Sequence, residues 1–270
     1  MAAAVGTGLL VGVLTALVGI GGGAVMVPFL YLVYSYTPAS LQAQTVVAHA
    51  TSLGVAFVAS TIGTYRYARA RAIVWRPALI YGIPGSLSAF AAARFVAASG
   101  EGGWIRGAFG GFLVVSAADM VRRALAGAEL HEAGTPGTGS SLLLGLLGIG
   151  SGLLAGFLGV GGGLLGVPAL LYIGRLQVRD LAPTALAAVC LATLAGVIGY
   201  LTASGAPPVS PTMAGFVDLR MAIALTVGAS LTVPLGVQLN RMAKPKALYW
   251  VFASVLGLLG TRLIWQAVHA

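Results

Sequence analysis

Apolar residues fall into eight blocks along the chain, at about 5–36, 41–64, 74–97, 104–125, 142–174, 181–203, 214–240 and 246–268, separated by short polar knots. Each block reaches or exceeds the roughly 20 residues that a helix needs to cross about 30 Å of hydrocarbon. Lipid offers no partner for exposed backbone N–H and C=O groups, so helices are the expected form. The pattern predicts an all-α integral membrane protein. The clearest interruption is AGAELHEAGTPGTGSS at 126–141, which carries turn formers and acids and no apolar period. It divides the chain into a first membrane repeat at 1–125 and a second at 142–270, joined by the polar linker.

The halves resemble each other. Gly19-Ile20-Gly21-Gly22-Gly23 with Pro28 recurs as Gly159-Val160-Gly161-Gly162-Gly163 with Pro168, an offset of 140. Ala50-Thr51-Ser52-Leu53-Gly54-Val55 recurs as Ala192-Thr193-Leu194-Ala195-Gly196-Val197, an offset of 142. Duplication accounts for both matches, giving two four-segment repeats. The segment that opens each repeat is too long. Residues 6–36 as one straight helix would run about 46 Å, and each Gly weakens a helix by about 1 kcal/mol against Ala. A helix broken at the Gly run is expected in both halves.

Charge bears on whether the broken segments cross the membrane or turn back. If all eight segments cross, one face receives Arg66, Arg69, Arg71, Arg76, Arg122, Arg123, Arg220 and Arg262, and the other Arg94, Arg106, Arg175, Arg179, Arg241, Lys244 and Lys246. That is eight against seven, with no bias. If both Gly-broken segments are re-entrant, Arg175 and Arg179 join the face of Arg66–Arg76, Arg122–Arg123 and Arg241–Lys246, while Arg220 and Arg262 leave it, giving eleven against four. The positive-inside rule favours the second arrangement, with inverted halves and both termini outside. The net charge of +9 is then a matter of topology and gives no reason to expect nucleic acid as a partner. The opening MAAAVGTGLL lacks the basic flank and cleavage site of a signal peptide and reads as mature chain. Cys190, the single cysteine, lies in an apolar block and reads as a structural thiol, which leaves no disulfide within one chain.

GIGGGA and GVGGGL match the dinucleotide fingerprint GxGxxG in letters alone, since that motif needs a preceding strand and an acid about 20 positions on. No Asp or Glu occurs between Met1 and Gly100. A Gly run inside the membrane has a different use. It exposes backbone N–H groups and aims the positive end of the following half-helix at the break, which suits an anion without a buried cation. In inverted-repeat transporters two such breaks meet near the midplane. The candidate substrate-binding residues are Gly21, Gly22, Gly23, Gly161, Gly162 and Gly163, with His49, Thr51, Ser52 and Thr193 in the segment after each break. Hydroxyls and an imidazole could donate to an oxyanion, and His49 could carry a coupled proton. The plainer reading of the glycines is close helix packing, and that of Ser and Thr is a bond to their own helix carbonyl. Gln42 and Gln44 are weaker candidates. Asp119 reads as a local ion pair with Arg122 or Arg123, the four Trp residues as interfacial anchors, and Arg94 and Asn240 as snorkelling or capping residues.

The paired GIGGG-x4-P and GVGGG-x4-P elements, with the segment Ala48–Leu53, resemble the TauE/SafE sulfite exporter family, also called the toluene sulfonate uptake permease family. The resemblance implies a permease of the bacterial or archaeal cytoplasmic membrane for sulfite or organosulfonates, driven by an ion gradient of H+ or Na+. One departure is that the second repeat has Leu191-Ala192-Thr193-Leu194 where the family pattern has Gly-Thr-Ser. The expected function is therefore a secondary transporter of a small sulfur-containing anion. No catalytic residue, cofactor or metal site is expected, and the candidate partners are the anion, the coupling ion, the bilayer and further copies of the chain. A passive anion channel and a membrane scaffold are the alternatives.

Overall fold

The computed structural model describes residues 1–19, 21–99 and 140–242, with isolated helical positions between 111 and 122 and at 250 and 261. The predicted segments at 104–125 and 246–268, the linker up to residue 139, Asp119, Arg123, Trp104 and Trp265 lie wholly or mostly outside the described residues. The described chain is mostly helical. Its elements are α1 (Ala2–Val18), α2 (Gly23–Tyr34), α3 (Leu41–Arg69), α4 (Trp75–Ser99), α5 (Ser141–Leu158), α6 (Gly163–Tyr172), α7 (Val178–Leu201), a two-stranded hairpin β1 (Met213–Ala214) and β2 (Val217–Asp218), and α8 (Leu219–Met242). Among the described residues, α3, α4, α5, α7 and α8 are long and apolar enough to cross a membrane.

Each Gly-rich block is two helices. α1 ends at Gly19 and α5 at Gly159, both left-handed, while α2 and α6 start from Gly22 and Gly162, with φ of 71° and 74°. Such φ values suit glycine and strain other residues. After α1 the chain folds back on itself, because a Cβ on Gly22 would lie 2.6 Å from Val11 of α1. After α5, Ser151 likewise donates to the Gly162 carbonyl at 2.6 Å.

α1 runs parallel to α8, pairing Leu9 with Thr232, Val13 with Gly236 and Leu17 with Asn240. α5 runs parallel to α4, pairing Gly148 with Gly85 and Gly156 with Ala89. Within each of these pairs glycines let the backbones touch. A Cβ on Gly152 would meet the Gly85 carbonyl carbon at 2.7 Å. Gly152→Ala is therefore expected to push α4 and α5 apart and destabilise the protein by about 1–3 kcal/mol, read as a lowered thermal midpoint. α3 and α7 run antiparallel, since Leu53 meets Gly196, and the Thr61 hydroxyl lies 3.2 Å from the sulfur of half-buried Cys190. The far end of α2 returns to the level where α1 starts, for Tyr34 donates to Asp218 at the head of α8. α6 does the same, as Leu170 packs in one cluster with Leu144 near the start of α5.

Two polar residues hold helix ends together. The Arg94 guanidinium donates to the Thr202 carbonyl at 2.7 Å and the Asn240 amide to the Leu17 carbonyl at 2.5 Å, so each caps the end of a neighbouring helix. The stretch 213–218, expected from 214 on to open a helix, instead forms the small hairpin, with Gly215 at φ 53° in its turn.

Candidate anion site

Both breaks meet in the interior. A Cβ on Gly21 would lie 3.3 Å from the Val160 carbonyl and 3.7 Å from the Gly161 Cα, and one on Gly23 would lie 2.6 Å from the Val160 Cα. Side chains from α7 close over the junction. Val189 approaches both Gly21 and Gly161, and the Thr193 methyl lies 3.1 Å from a Cβ built on Gly161. From α3, the His49 Cα would lie 2.8 Å from a Cβ built on Gly159.

α2 and α6 start without a side-chain cap. The first four N–H groups of a helix have no partner within it, and the N-terminus carries about half a positive charge. Two such ends therefore abut in one buried place. Every described arginine is exposed, so among the described residues no arginine is buried beside the breaks.

The predicted hydroxyl residues are all buried and all engaged. Ser52 donates to the Gly159 carbonyl at 2.8 Å, tying α3 to the second break. Thr193 donates to the Val189 carbonyl of its own helix at 2.8 Å. Thr51, one position before Ser52, faces about 100° away around the helix. Its oxygen accepts from the Asp218 N–H at 3.0 Å. His49 is buried and bonded through Nε2 to the Tyr31 hydroxyl of α2. Gln44 donates to the Ala39 carbonyl at 2.8 Å and so braces the α2–α3 turn. The structure thus gathers the six Gly residues, Ser52, Thr193 and His49 around one junction and places Thr51 at a neighbouring one.

That neighbouring junction is built on a residue the sequence reading passed over. Asp218 is 2% exposed. Its carboxylate accepts from the hydroxyls of Tyr34 at 3.2 Å and Thr212 at 3.1 Å, and from the N–H groups of Arg220 at 3.0 Å and Met221 at 3.4 Å. It is the N-terminal cap of α8 and fastens α2, α3 and the hairpin together. The signal was present as an acid inside the apolar block read as 214–240, where an Asp followed by apolar residues is the usual mark of a helix start.

A model of the sulfite exporter TauE/SafE family matches residues 4–263. A probable membrane transporter protein of Methanocaldococcus jannaschii is 27% identical over 253 residues, covering 94% of this chain and 91% of that protein. The probable membrane transporter protein YunE of Bacillus subtilis is 26% identical over 279 residues, covering 97% of each. No solved structure matches. With the family matched across nearly its whole length and helices of membrane-spanning length and composition, the chain is an integral membrane protein that belongs to the sulfite exporter TauE/SafE family of transporters.

Proposed function

We propose that the chain is a secondary carrier for a small, singly charged sulfur oxyanion such as hydrogen sulfite or an organosulfonate. The anion is held where the two Gly breaks meet, near the middle of a bacterial or archaeal cytoplasmic membrane. The observation that carries this reading is the contact of Gly21 with Gly161 between two helix starts that lack side-chain caps. Backbone N–H groups of Gly21, Gly22, Gly23, Gly161, Gly162 and Gly163 supply the donors, and Ser52, Thr193 and His49 line the approach. Thr51 acts one step removed, through Asp218.

The parallel pairing of α1 with α8 and of α5 with α4, with α3 and α7 antiparallel, supports inverted repeats whose two hairpins enter from opposite faces. The return of α2 to the level of the α1 start supports re-entrance, in keeping with the eleven-to-four charge split in the sequence. Rocking of one hairpin and its partner helix against the other would expose the junction to each side in turn, coupled to a gradient of H+ or Na+.

Neutral donors compensate one negative charge far better than two, because transferring charge out of water grows steeply in cost without a counter-charge. Proteoliposomes holding the purified protein are expected to take up labelled sulfite and methanesulfonate under an ion gradient, with sulfate competing at least tenfold less well. Folded protein that moves no sulfur anion would sink the proposal. Flux independent of any gradient, at rates far above carrier turnover, would make the protein a channel.

A further inference from the structure

We infer that the hydroxyl of Thr15 on α1 is a direct ligand of the anion at the first break, donating to one of its oxygens beside the start of α2. This rests on the anion site proposed above and adds to it a side chain that makes the two breaks chemically unequal.

Thr15 is fully buried, at 0% exposed, and its hydroxyl has no hydrogen-bond partner. Among the described residues every other Ser or Thr that is buried as a whole has a bonded hydroxyl, and the one further buried, unbonded hydroxyl belongs to half-buried Thr64, near the end of α3. Thr45 and Thr193 bond the carbonyl four residues back in their own helices, at 2.7 and 2.8 Å, and Ser52 bonds the Gly159 carbonyl. The same intrahelical bond to Val11 is open to any helical Thr. Thr15 does not make it. A buried hydroxyl left unbonded is unfavourable unless something else accepts from it.

The direction of this hydroxyl identifies what that is. Its oxygen is the atom nearest to where a Cβ on Gly22 would stand, with Val11 at 2.6 Å and Met26 at 3.6 Å behind it. Gly22 is the residue that caps α2 and brings no side chain of its own. The hydroxyl thus sits at the positive end of a 12-residue helix, in the place where a capping side chain would otherwise stand.

The second break differs. The position corresponding to Thr15 is Ala155, and the hydroxyl facing Gly162 comes from Ser151, which already donates to the Gly162 carbonyl at 2.6 Å. One break has an uncommitted side-chain donor and the other has a committed one. The first break is accordingly the stronger half of the site, and its neutral, apolar-walled donor set fits the S–O group of a sulfonate or hydrogen sulfite.

The test is ligand-induced thermal stabilisation of the purified full chain by sulfite and by methanesulfonate, together with KM and kcat for transport, in Thr15→Val, Thr15→Ala and Thr15→Ser. Thr15→Val is nearly isosteric and removes an unbonded hydroxyl, so its midpoint without anion should equal or exceed that of the parent. Its anion affinity should fall about ten- to a hundredfold, the loss expected of one hydrogen bond to a charged group, with the change in KM rather than kcat. Thr15→Ala should lose the same affinity, and Thr15→Ser should restore most of it. A parent stabilised by these anions alongside a Thr15→Val or Thr15→Ala protein stabilised equally well overturns the Thr15 assignment and leaves the anion site standing. A Thr15→Ser protein as weak as Thr15→Val also overturns the assignment. A folded parent that responds to neither anion overturns the site and the assignment together.

Discussion

Gly22→Leu and Gly162→Leu are each expected to lower transport of sulfite or methanesulfonate by at least a hundredfold, while the protein still inserts and purifies as a monodisperse species. Both positions have left-handed backbones, where an L side chain is strained by about 1–2 kcal/mol. A larger effect comes from space. The Cβ alone would press on Val11 at 2.6 Å in the first case and on the Ser151 hydroxyl at 2.6 Å in the second, and the rest of a leucine would fill the mouth of the helix start. Since α2 and α6 begin at these residues, leucine covers the N–H groups that are proposed to hold the anion. The comparison that separates function from packing is Gly152→Ala, whose added Cβ would meet Gly85 and Ser88 of α4 and neither helix start. It should lower the thermal midpoint and leave the KM of the surviving folded protein close to that of the parent. Gly22→Leu and Gly162→Leu proteins that fold and transport normally would return both glycines to a purely structural role.

The breaks were legible from sequence because three consecutive glycines halfway along a block too long to be one straight span leave few alternatives, and the second copy repeated the signal at a fixed offset. Arg94 and Asn240 were legible for a similar reason, as polar residues at the ends of apolar segments have helix ends within reach. Hydropathy was less informative where short-range geometry decided the outcome. Met213–Val217 is apolar enough to read as the beginning of a membrane helix, yet Gly215 turns it into a hairpin and α8 starts only at Leu219. Thr51 and Ser52 look like one motif on paper. In a helix adjacent residues diverge by about 100°, so Ser52 reaches Gly159 and Thr51 reaches Asp218. Thr193 took the self-bonded option that any Thr in a helix has. Thr15 carried no sequence signal, because a lone Thr in an apolar helix is common and its missing bond is a fact of three-dimensional placement.

Asp218→Ala is expected to be the most destabilising single substitution outside the breaks, by about 2–4 kcal/mol, or about 5–15 °C in the thermal midpoint. The carboxylate accepts four hydrogen bonds in a buried setting, and removing it leaves the Tyr34 and Thr212 hydroxyls and the first N–H groups of α8 without their acceptor. Loss of the cap and the stranding of buried donors act together. Asp218→Asn keeps one acceptor oxygen for the α8 amides and should retain roughly half of the stability that alanine forfeits. Tyr34→Phe removes a single partner and should lower stability by about 1 kcal/mol. Because Tyr34 and Asp218 share one bond, the double substitution should be less damaging than the two single effects added together. Simple additivity would mean that the hydroxyl and the carboxylate act independently, and an Asp218→Ala protein as stable as the parent would remove Asp218 from the framework altogether. The same residue bears on transport through what it fastens. Tyr34 lies at the free end of the first hairpin, Asp218 at the head of the helix that runs beside α1, and Thr51 on the helix whose next residue holds the second break. A loosened Asp218 junction should therefore raise the KM for the anion as well as lower stability, since the two helix starts would no longer be held face to face.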